Sequence, residues 1–489
     1  MDIFSGEKGK SVPILVRHPN IVQVKNPTMQ IESLLYSALA KRPRNYKYSK
    51  AYQEKRWDGY IRLYNINKHW FPSGLFPAVL RLLQEKQIDF QVIDKRVKPA
   101  PVCSFQSNIS LRGYQERVLN IIKEYTQGVI WLPVNAGKTY VAMQLVADYQ
   151  VPTLWIVKTK DLFFQTYKRA QELLGLSKED IGTIGMGTYN LKPFTIAMVQ
   201  TLTRMQKARQ LGEVNKYFGM VIFDEAHSVG RNTYYKLMLN LYMYYRYALT
   251  GTPRHRDAVD VLMLTGAFGD VIVKMDNKTM YELGVSVRPL IQMIQMYIPT
   301  VKLDSYTDVY RECVVQNHER NMRIRDIAYY YKAQRKNILI LVDWIEHGNE
   351  LVQKYLPDAV FISGEENSNL RKQILEDYES GKVPILIATG ILNEGISLHA
   401  IDVLINAAGG KSAVKAVQRV GRALRQRIGK DRAIVIDFYD TGNKWFKDHS
   451  VHRKKIYEKE FGAENVEVIT SFNVKEKSLF CNESMIASN

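Results

Sequence analysis

VIWLPVNAGKT, residues 129–139, decides how this chain is read. Val129, Ile130, Trp131 and Leu132 form a short apolar run, expected as a buried strand, and from Thr139 to Tyr149 the pattern turns helical. Between them lie Pro133, Val134, Asn135, Ala136, Gly137, Lys138 and Thr139. Strand, tight loop, Gly-Lys-Thr and helix is the order of a phosphate cradle. Backbone N–H groups and the helix N-terminus face the phosphates, Lys138 reaches the β/γ oxygens, and Thr139 can hold Mg²⁺. The competing reading is a chance GKT in a surface turn, because the strict pattern wants Gly where Leu132 stands and often a second at Asn135.

The stretch downstream decides between them. Met220-Val221-Ile222-Phe223 is a second apolar strand, and it runs into Asp224-Glu225-Ala226-His227. A carboxylate at the C-terminal edge of a parallel sheet, beside a phosphate loop, is where a second magnesium-holding group belongs. Asp224 would hold Mg²⁺ through its water shell, and Glu225 would orient and deprotonate the attacking water. A solvated turn is the plain alternative for Asp-Glu after a strand. With the loop upstream, the pair points to nucleoside triphosphate hydrolysis.

Composition narrows the partners. The 489 residues carry 68 Lys+Arg against 49 Asp+Glu, a net +19 that suits a polyanion binder better than a small-metabolite enzyme. Cys103, Cys313 and Cys481 lie far apart, without metal-ligand or disulfide spacing, so a reducing, cytoplasmic setting is expected. No signal peptide and no apolar run of about 18 residues is evident, so no membrane span is expected.

Residues 1–100 hold 18 Lys+Arg and 8 Asp+Glu, a net +10 in the first fifth of the chain. Lys41, Arg42, Arg44, Lys47, Lys55 and Arg56 are interleaved with Tyr46, Tyr48, Trp57 and Tyr60, a pattern that can track phosphates and stack on bases. Alternatively Trp57, Tyr60 and Trp70 are core and the charges a solvated face. A strand over 60–64 and a helix over 77–84 make 1–105 a small α+β domain, with Pro99-Ala100-Pro101 as linker. Leu111-Arg112-Gly113-Tyr114-Gln115 then opens a helix, on which the Gln115 amide can read an adenine edge.

Apolar strands recur at 153–157, 195–199, 221–223 and 247–249, separated by helical patterns. They end in polar clusters, Lys158-Thr159-Lys160, Gln200-Thr201 and Thr250-Gly251-Thr252-Pro253, placed where ligands of parallel sheets bind. A second series, 338–342, 359–362, 384–388, 403–405 and 434–436, has no phosphate loop. It carries instead QRVGRALR, 418–425, in which Gln418, Arg422 and Arg425 share a helix face. Two guanidiniums a turn apart can clamp a polyphosphate, although a basic surface helix is the commoner fate of such a cluster.

LRGYQ, LPVNAGKT, DEAH, TGTP, the strand ending at Thr389 with Asn393-Glu394-Gly395-Ile396-Ser397, and QRVGRALR resemble, in order and spacing, the superfamily 2 helicases over about 105–440. The N-terminal KRWDGYIRLYN and FPSGL, ahead of such a motor, resemble more narrowly the phage UvsW-type recombination helicases, relatives of the RecG and XPB group. The resemblance implies an α/β protein with two tandem RecA-like parallel-sheet domains, 106–285 and 286–445, after the small N-terminal α+β domain, and a basic helix with a polar tail over 446–489. It implies ATP and Mg²⁺ in the cleft between the two. The nucleotide-binding residues would be Arg112, Gln115, Leu132, Pro133, Val134, Asn135, Ala136, Gly137, Lys138, Thr139 and Gly395, with Thr139 and Asp224 on the metal. Glu225, Gln418, Arg422 and Arg425 would be catalytic, the arginines as fingers, while His227, Thr250 and Thr252 would couple nucleotide state to strand grip. Nucleic acid would meet Lys158, Thr159, Gln200, Thr201, Thr389 and the N-terminal cations. Ser397 stands where many relatives have Asp, and Asn135 departs from the usual loop. The expected protein is a monomeric, ATP-dependent DNA helicase or translocase acting on forked and recombination intermediates. An RNA helicase and an ATP-gated DNA clamp that does not unwind remain alternatives.

Overall fold

A computed structural model describes residues 12–133, 135–226, 229, 232–251, 257–299, 305–389, 398–410, 419–421, 423–424, 430–470 and 472. Contacts divide the chain into two units, Met1–Leu132 with Gly137–Lys274, and Met275–Asn489 with Pro133–Ala136.

The first unit opens with β1 (Ile14–Arg17) and β2 (Ile21–Lys25), an antiparallel pair. A two-stranded ribbon follows, β3 (Ala40–Lys41) with β4 (Ile61–Arg62). β5 (Trp70–Pro72) and β6 (Gln91–Asp94) complete a sheet of order β5-β2-β1-β6. Helix Phe76–Glu85 places Phe76, Val79 and Leu83 at three- and four-residue spacing, so one stripe is buried. The second sheet is built from β7 (Gln127–Trp131), β8 (Thr153–Val157), β9 (Ile181–Gly185), β10 (Thr188–Asn190), β11 (Phe194–Met198), β12 (Met220–Phe223), β13 (Tyr245–Thr250) and β14 (Val271–Lys274). Its order is β10-β9-β11-β8-β12-β13-β7-β14, and every pairing except β9 with β10 is parallel. Every residue of β7, β8, β11, β12 and β13 is buried, as expected of apolar runs covered on both faces by crossover helices.

These two sheets share one hydrophobic core, which runs from Leu15, Val22, Phe71 and Val79 through Val129 and Ile156 to Phe223 and Phe268. The junction is the FPSGL stretch. A Cβ on Gly74 would stand 2.0 Å from the Thr265 carbonyl oxygen, so the backbone of residues 73–75 lies directly on helix Ala258–Phe268. Gln127 Nε2 donates to the Ser73 carbonyl at 3.0 Å, and Asn20 Nδ2 donates to the Leu239 carbonyl at 2.6 Å. Arg246 of β13 is fully buried, with no carboxylate partner among the described residues. Its guanidinium donates to the carbonyls of Leu241 (2.5 Å), Met238 (2.7 Å) and Ala267 (3.1 Å). Met238 and Ala267 sit in the last turns of helices Asn232–Leu239 and Ala258–Phe268, where unpaired carbonyls carry partial negative charge. Burial lowers the Arg246 pKa to about 10, which still leaves it charged at neutral pH.

The second unit is one parallel sheet made of β15 (Arg288–Ile298), β16 (Ile338–Leu341), β17 (Val360–Ile362), β18 (Ile385–Ala388), β19 (Val403–Asn406), β20 (Arg432–Gly442) and β21 (Val466–Ile469), in the order β17-β18-β16-β19-β20-β15-β21. Helix Lys444–Phe461 buries Phe446, His449, Ser450, Arg453, Ile456, Tyr457 and Phe461 on its inner stripe, so the basic helix expected near the C-terminus belongs to this unit's core. Among the described residues no helix is long and apolar enough to cross a membrane.

Gly74→Ala should lower the unfolding free energy by about 1–3 kcal/mol, the usual cost of forcing an extra group into a packed interior, because the atoms it meets are backbone. Chemical denaturation read by tryptophan fluorescence measures this, and an unchanged midpoint would mean that the two sheets do not depend on that contact.

Candidate nucleotide site and helicase motifs

In the first unit the strand order places the candidate residues on one edge. β7 pairs with β13, and β13 with β12, all parallel, so the loop after β7, Thr250 and Asp224 all leave the sheet at its C-terminal side. Leu132 N–H donates to the Thr250 carbonyl at 3.1 Å, and Trp131 Nε1 donates to the Gly251 carbonyl at 3.0 Å. Thr250 and Gly251 are therefore bonded to the root of the loop. Lys274 Nζ lies 5.1 Å from the Trp131 ring centroid, on the far side of β7.

The loop itself turns on two left-handed residues, Asn135 (φ +71°) and Gly137 (φ +75°), and helix Lys138–Tyr149 starts immediately after. Two left-handed turns this close to a helix start bend the chain into a compact crook, and the first N–H groups of the helix are left without intrahelical partners. Lys138 Nζ donates to the Leu132 carbonyl at 3.2 Å, which folds its ammonium back over the loop. A Cβ on Gly137 would come within 2.2 Å of Gln115 Nε2, so the Gln115 amide rests on this glycine. Gln115 is 6% exposed, and its Oε1 accepts from the Arg112 N–H at 2.9 Å. Arg112 is exposed at the N-cap of helix Gly113–Lys123, and Leu132, Pro133 and Ala136 are buried around the crook. Thr139 is half-buried in the first turn.

Asp224 follows β12, is 7% exposed, and accepts from the Glu225 N–H at 2.9 Å. Glu225 takes φ +50°, a left-handed conformation uncommon for a residue other than glycine and typical of sites where the chain trades comfort for aim. Val134, His227, Thr252, Gly395, Gln418, Arg422 and Arg425 lie outside the described residues.

Lys158, Gln200 and Thr201 come together after β8 and β11, and Gln200 Nε2 donates to the Lys158 carbonyl at 2.8 Å. The Thr159 hydroxyl accepts from Leu162 N–H and caps helix Lys160–Leu174. In the N-terminal segment Lys41, Arg42, Arg44, Lys47, Lys55 and Arg56 are all exposed, with Arg56 ion-paired to Glu54. The Arg42 guanidinium lies 4.3 Å from the Tyr60 ring centroid and 4.9 Å from that of Tyr46, and Arg62 lies 4.3 Å from that of Tyr36. Trp57 and Trp70 are half-buried.

In the second unit Thr389 is buried at the end of β18. Sequence reasoning passed over Arg419, the neighbour of the two candidate fingers. It is 3% exposed and donates to Asn406 Oδ1 at 2.7 Å and Asp343 Oδ1 at 2.6 Å. Asn406 donates in turn to Asp437, on which Arg453 (3.0 and 3.1 Å) and Tyr457 (2.7 Å) also converge. This buried chain ties the start of the QRVGRALR stretch to helix Lys444–Phe461. The only sequence signal for it was the arginine's place in the motif.

A family model described as "Type III restriction enzyme, res subunit" matches residues 108–255, and one described as "Helicase conserved C-terminal domain" matches 320–427. The chain is an ATP-dependent helicase of superfamily 2. Within that class it resembles the UvsW and XPB proteins. It is 26% identical over 417 residues to the DNA 3'-5' translocase XPB2 of Sulfurisphaera tokodaii, covering 76% of this chain and 90% of that protein. It is 24% identical over 448 residues to the ATP-dependent DNA helicase uvsW of Enterobacteria phage T4, covering 84% and 87%. Among solved structures, S. cerevisiae Dbp5 bound to RNA and ADP BeF3 shares the fold at TM-score 0.53 and 14% identity, covering 77% of this chain and 93% of that one.

Arg453→Met should cost the second unit about 3–5 kcal/mol, because it strands the fully buried Asp437 carboxylate. Asp437→Asn with Arg453→Met should recover part of that loss, which urea unfolding of the double and single variants will read. If the single variant is as stable as the parent, the buried pair holds nothing together.

Proposed function

We propose that this helicase uses ATP to move along and separate DNA strands, with forked and recombination intermediates as its substrates. The observation that carries the proposal is the shared C-terminal edge of β7, β13 and β12, where the Gly137-Lys138-Thr139 crook, Thr250 and the Asp224-Glu225 pair leave the sheet side by side. DNA as the track is supported by the names of two relatives matched over most of their lengths, by the net +19 charge, and by six exposed N-terminal cations.

The proposed roles are supported by geometry for the described residues, and by the helicase motifs for Gln418, Arg422, Arg425, His227 and Thr252. The Lys138 ammonium exchanges the Leu132 carbonyl for phosphate oxygens, a stronger charge-assisted contact. Gln115, braced between Arg112 and Gly137, reads the adenine edge and senses the loop's position through the same amide. Thr139 and Asp224 are the residues that would hold Mg²⁺, which when bound neutralises charge on the phosphates. Their hydroxyl and buried carboxylate form an all-oxygen donor set, which suits that ion. Glu225, set in its left-handed turn, takes the proton of the attacking water. Gln418, Arg422 and Arg425 serve the attacking water and the charge that develops in the transition state. Thr250, bonded through its carbonyl to the root of the loop, passes the nucleotide state along with His227 and Thr252. Lys158, Thr159, Gln200, Thr201, Thr389 and the N-terminal cations form the strand contacts.

Lys138→Ala should abolish ATP hydrolysis while DNA binding persists, since the polyanion grip is spread over many other cations. Glu225→Gln should still bind ATP but turn over about 10²–10⁴-fold more slowly, since the amide keeps the shape and cannot take a proton. Near-parental hydrolysis by either variant would overturn the site. Strand displacement measured side by side on forked DNA, Holliday junctions, linear duplex and forked RNA tests the substrate. Preference for forked RNA would make it an RNA helicase, and DNA-stimulated hydrolysis without displacement would make it a clamp or remodeller.

A further inference from the structure

Beyond the nucleotide edge, the first unit holds an open cavity of about 810 Å³ at the C-terminal ends of β8 and β11. Its lining includes Lys158, Lys160 and Arg204 together with Met186, Tyr189 and Met198. The same lining thus holds three cations, thioethers and an aromatic ring. It asks for a ligand with an anionic edge and a flat apolar face.

Met186 and Tyr189 are delivered by the β9–β10 hairpin. Gly185 pairs with Thr188, which leaves Met186 and Gly187 as a two-residue loop with φ of +56° and +85°. Two consecutive left-handed residues define the tight hairpin turn usually filled by Asn-Gly or Asp-Gly. Methionine has no polar group to bond locally and takes that conformation at a cost, yet here it stands at the tip with 40% of its surface exposed. Gly185 explains how the tip is seated. A Cβ there would meet Met198 Cγ at 2.7 Å and Thr201 Oγ1 at 3.2 Å, so the hairpin lies flat against the first turn of helix Val199–Lys207. Tyr189 is half-exposed on the outer strand, and its hydroxyl donates to Glu213 at 3.0 Å, which fixes the ring. The Thr183 and Thr188 hydroxyls, 2.7 Å apart, brace the two strands.

We infer that the tip of this hairpin, Met186 together with Tyr189, holds a nucleobase of single-stranded nucleic acid whose phosphates run along Lys158, Lys160 and Arg204. The inference rests on the strand-contact reading of Lys158, Gln200 and Thr201 proposed above, and adds to that phosphate track a contact with the base. A thioether and a fixed ring accept any base face, so the site grips without reading sequence.

The test uses the full chain with two single-stranded oligonucleotides of equal length, one of thymidines and one abasic throughout, followed by fluorescence anisotropy. The parent protein should bind the thymidine strand about fivefold or more tightly than the abasic one, as base stacking on protein side chains generally gives. Met186→Asn, which suits the turn, combined with Tyr189→Ala should remove most of that preference and leave affinity for the abasic strand unchanged. Met186→Leu should keep the preference. Arg204→Ala should weaken both strands alike and reduce the log–log salt slope by about 0.7. A double variant that discriminates as the parent does overturns the inference, as does a parent that binds both strands equally while its ATP hydrolysis is stimulated by each. A parent that binds neither strand and is stimulated by neither overturns the strand-contact reading itself, and the base site with it.

Discussion

β7 is bonded on both edges, to β13 and to β14, and buried along its whole length. A parallel strand held in this way cannot shift without breaking two ladders, so the loop that follows starts from a fixed point. Gly128 shows how tight the fit is, since a Cβ there would stand 2.6 Å from Ile272 side-chain atoms. Because every strand but β10 runs the same way, the polar ends of β8, β11, β12 and β13 gather on that same edge. The position of Asp224 and Thr250 beside the crook follows from this constraint, as does the position of the cation-lined cavity.

Charge inside the two units is handled in different ways. Arg246 has no carboxylate partner among the described residues and is satisfied by carbonyls at the ends of two helices, so it locks those ends to β13 without burying a second ion. Arg453 and Arg320 are paired with Asp437 and Asp440, each pair almost completely hidden from solvent. Buried pairs of this kind contribute little net stability, but removing one partner is costly, so they specify which helix docks where. Here Arg453 commits helix Lys444–Phe461, and Arg320 helix His318–Ala333, to the sheet of the second unit, and Asp437 through Asn406 holds Arg419 in place.

The continuity of the first core bears on function. The basic N-terminal segment reaches the motor sheet through Ser73-Gly74-Leu75, through Arg81 with Asp270, and through the Arg44 N–H, which donates to Asp257 at 2.6 Å. Asp257 caps helix Ala258–Phe268 and follows the TGTP motif by four residues in the sequence. The exposed cations around Arg42 therefore ride in the same unit as Gly137, Lys138 and Thr139, joined to the motor sheet by a shared core.

The sequence by itself determined the class of fold and the chain positions of the candidate site. Short, uninterrupted and β-branched runs such as TLWIV and MVIF read as strands buried on both faces, and the residues that end them are fixed by chain order. Strands without such runs escaped it. β9 is diluted by Gly182 and Gly185, β10 is wholly exposed, and the Gln and Met of β15 blur its alternation. Only the tertiary structure decided that the N-terminal sheet shares the motor's core, that Thr159 is a helix cap, and that the basic C-terminal helix turns Arg453 inward. It also decided that Gln115 rests on Gly137 and that Arg419 is anchored to Asp343. The physical reason is that periodicity reports which face of an element is apolar, whereas partners far apart in the chain are chosen by packing and hydrogen bonding, which no local pattern encodes.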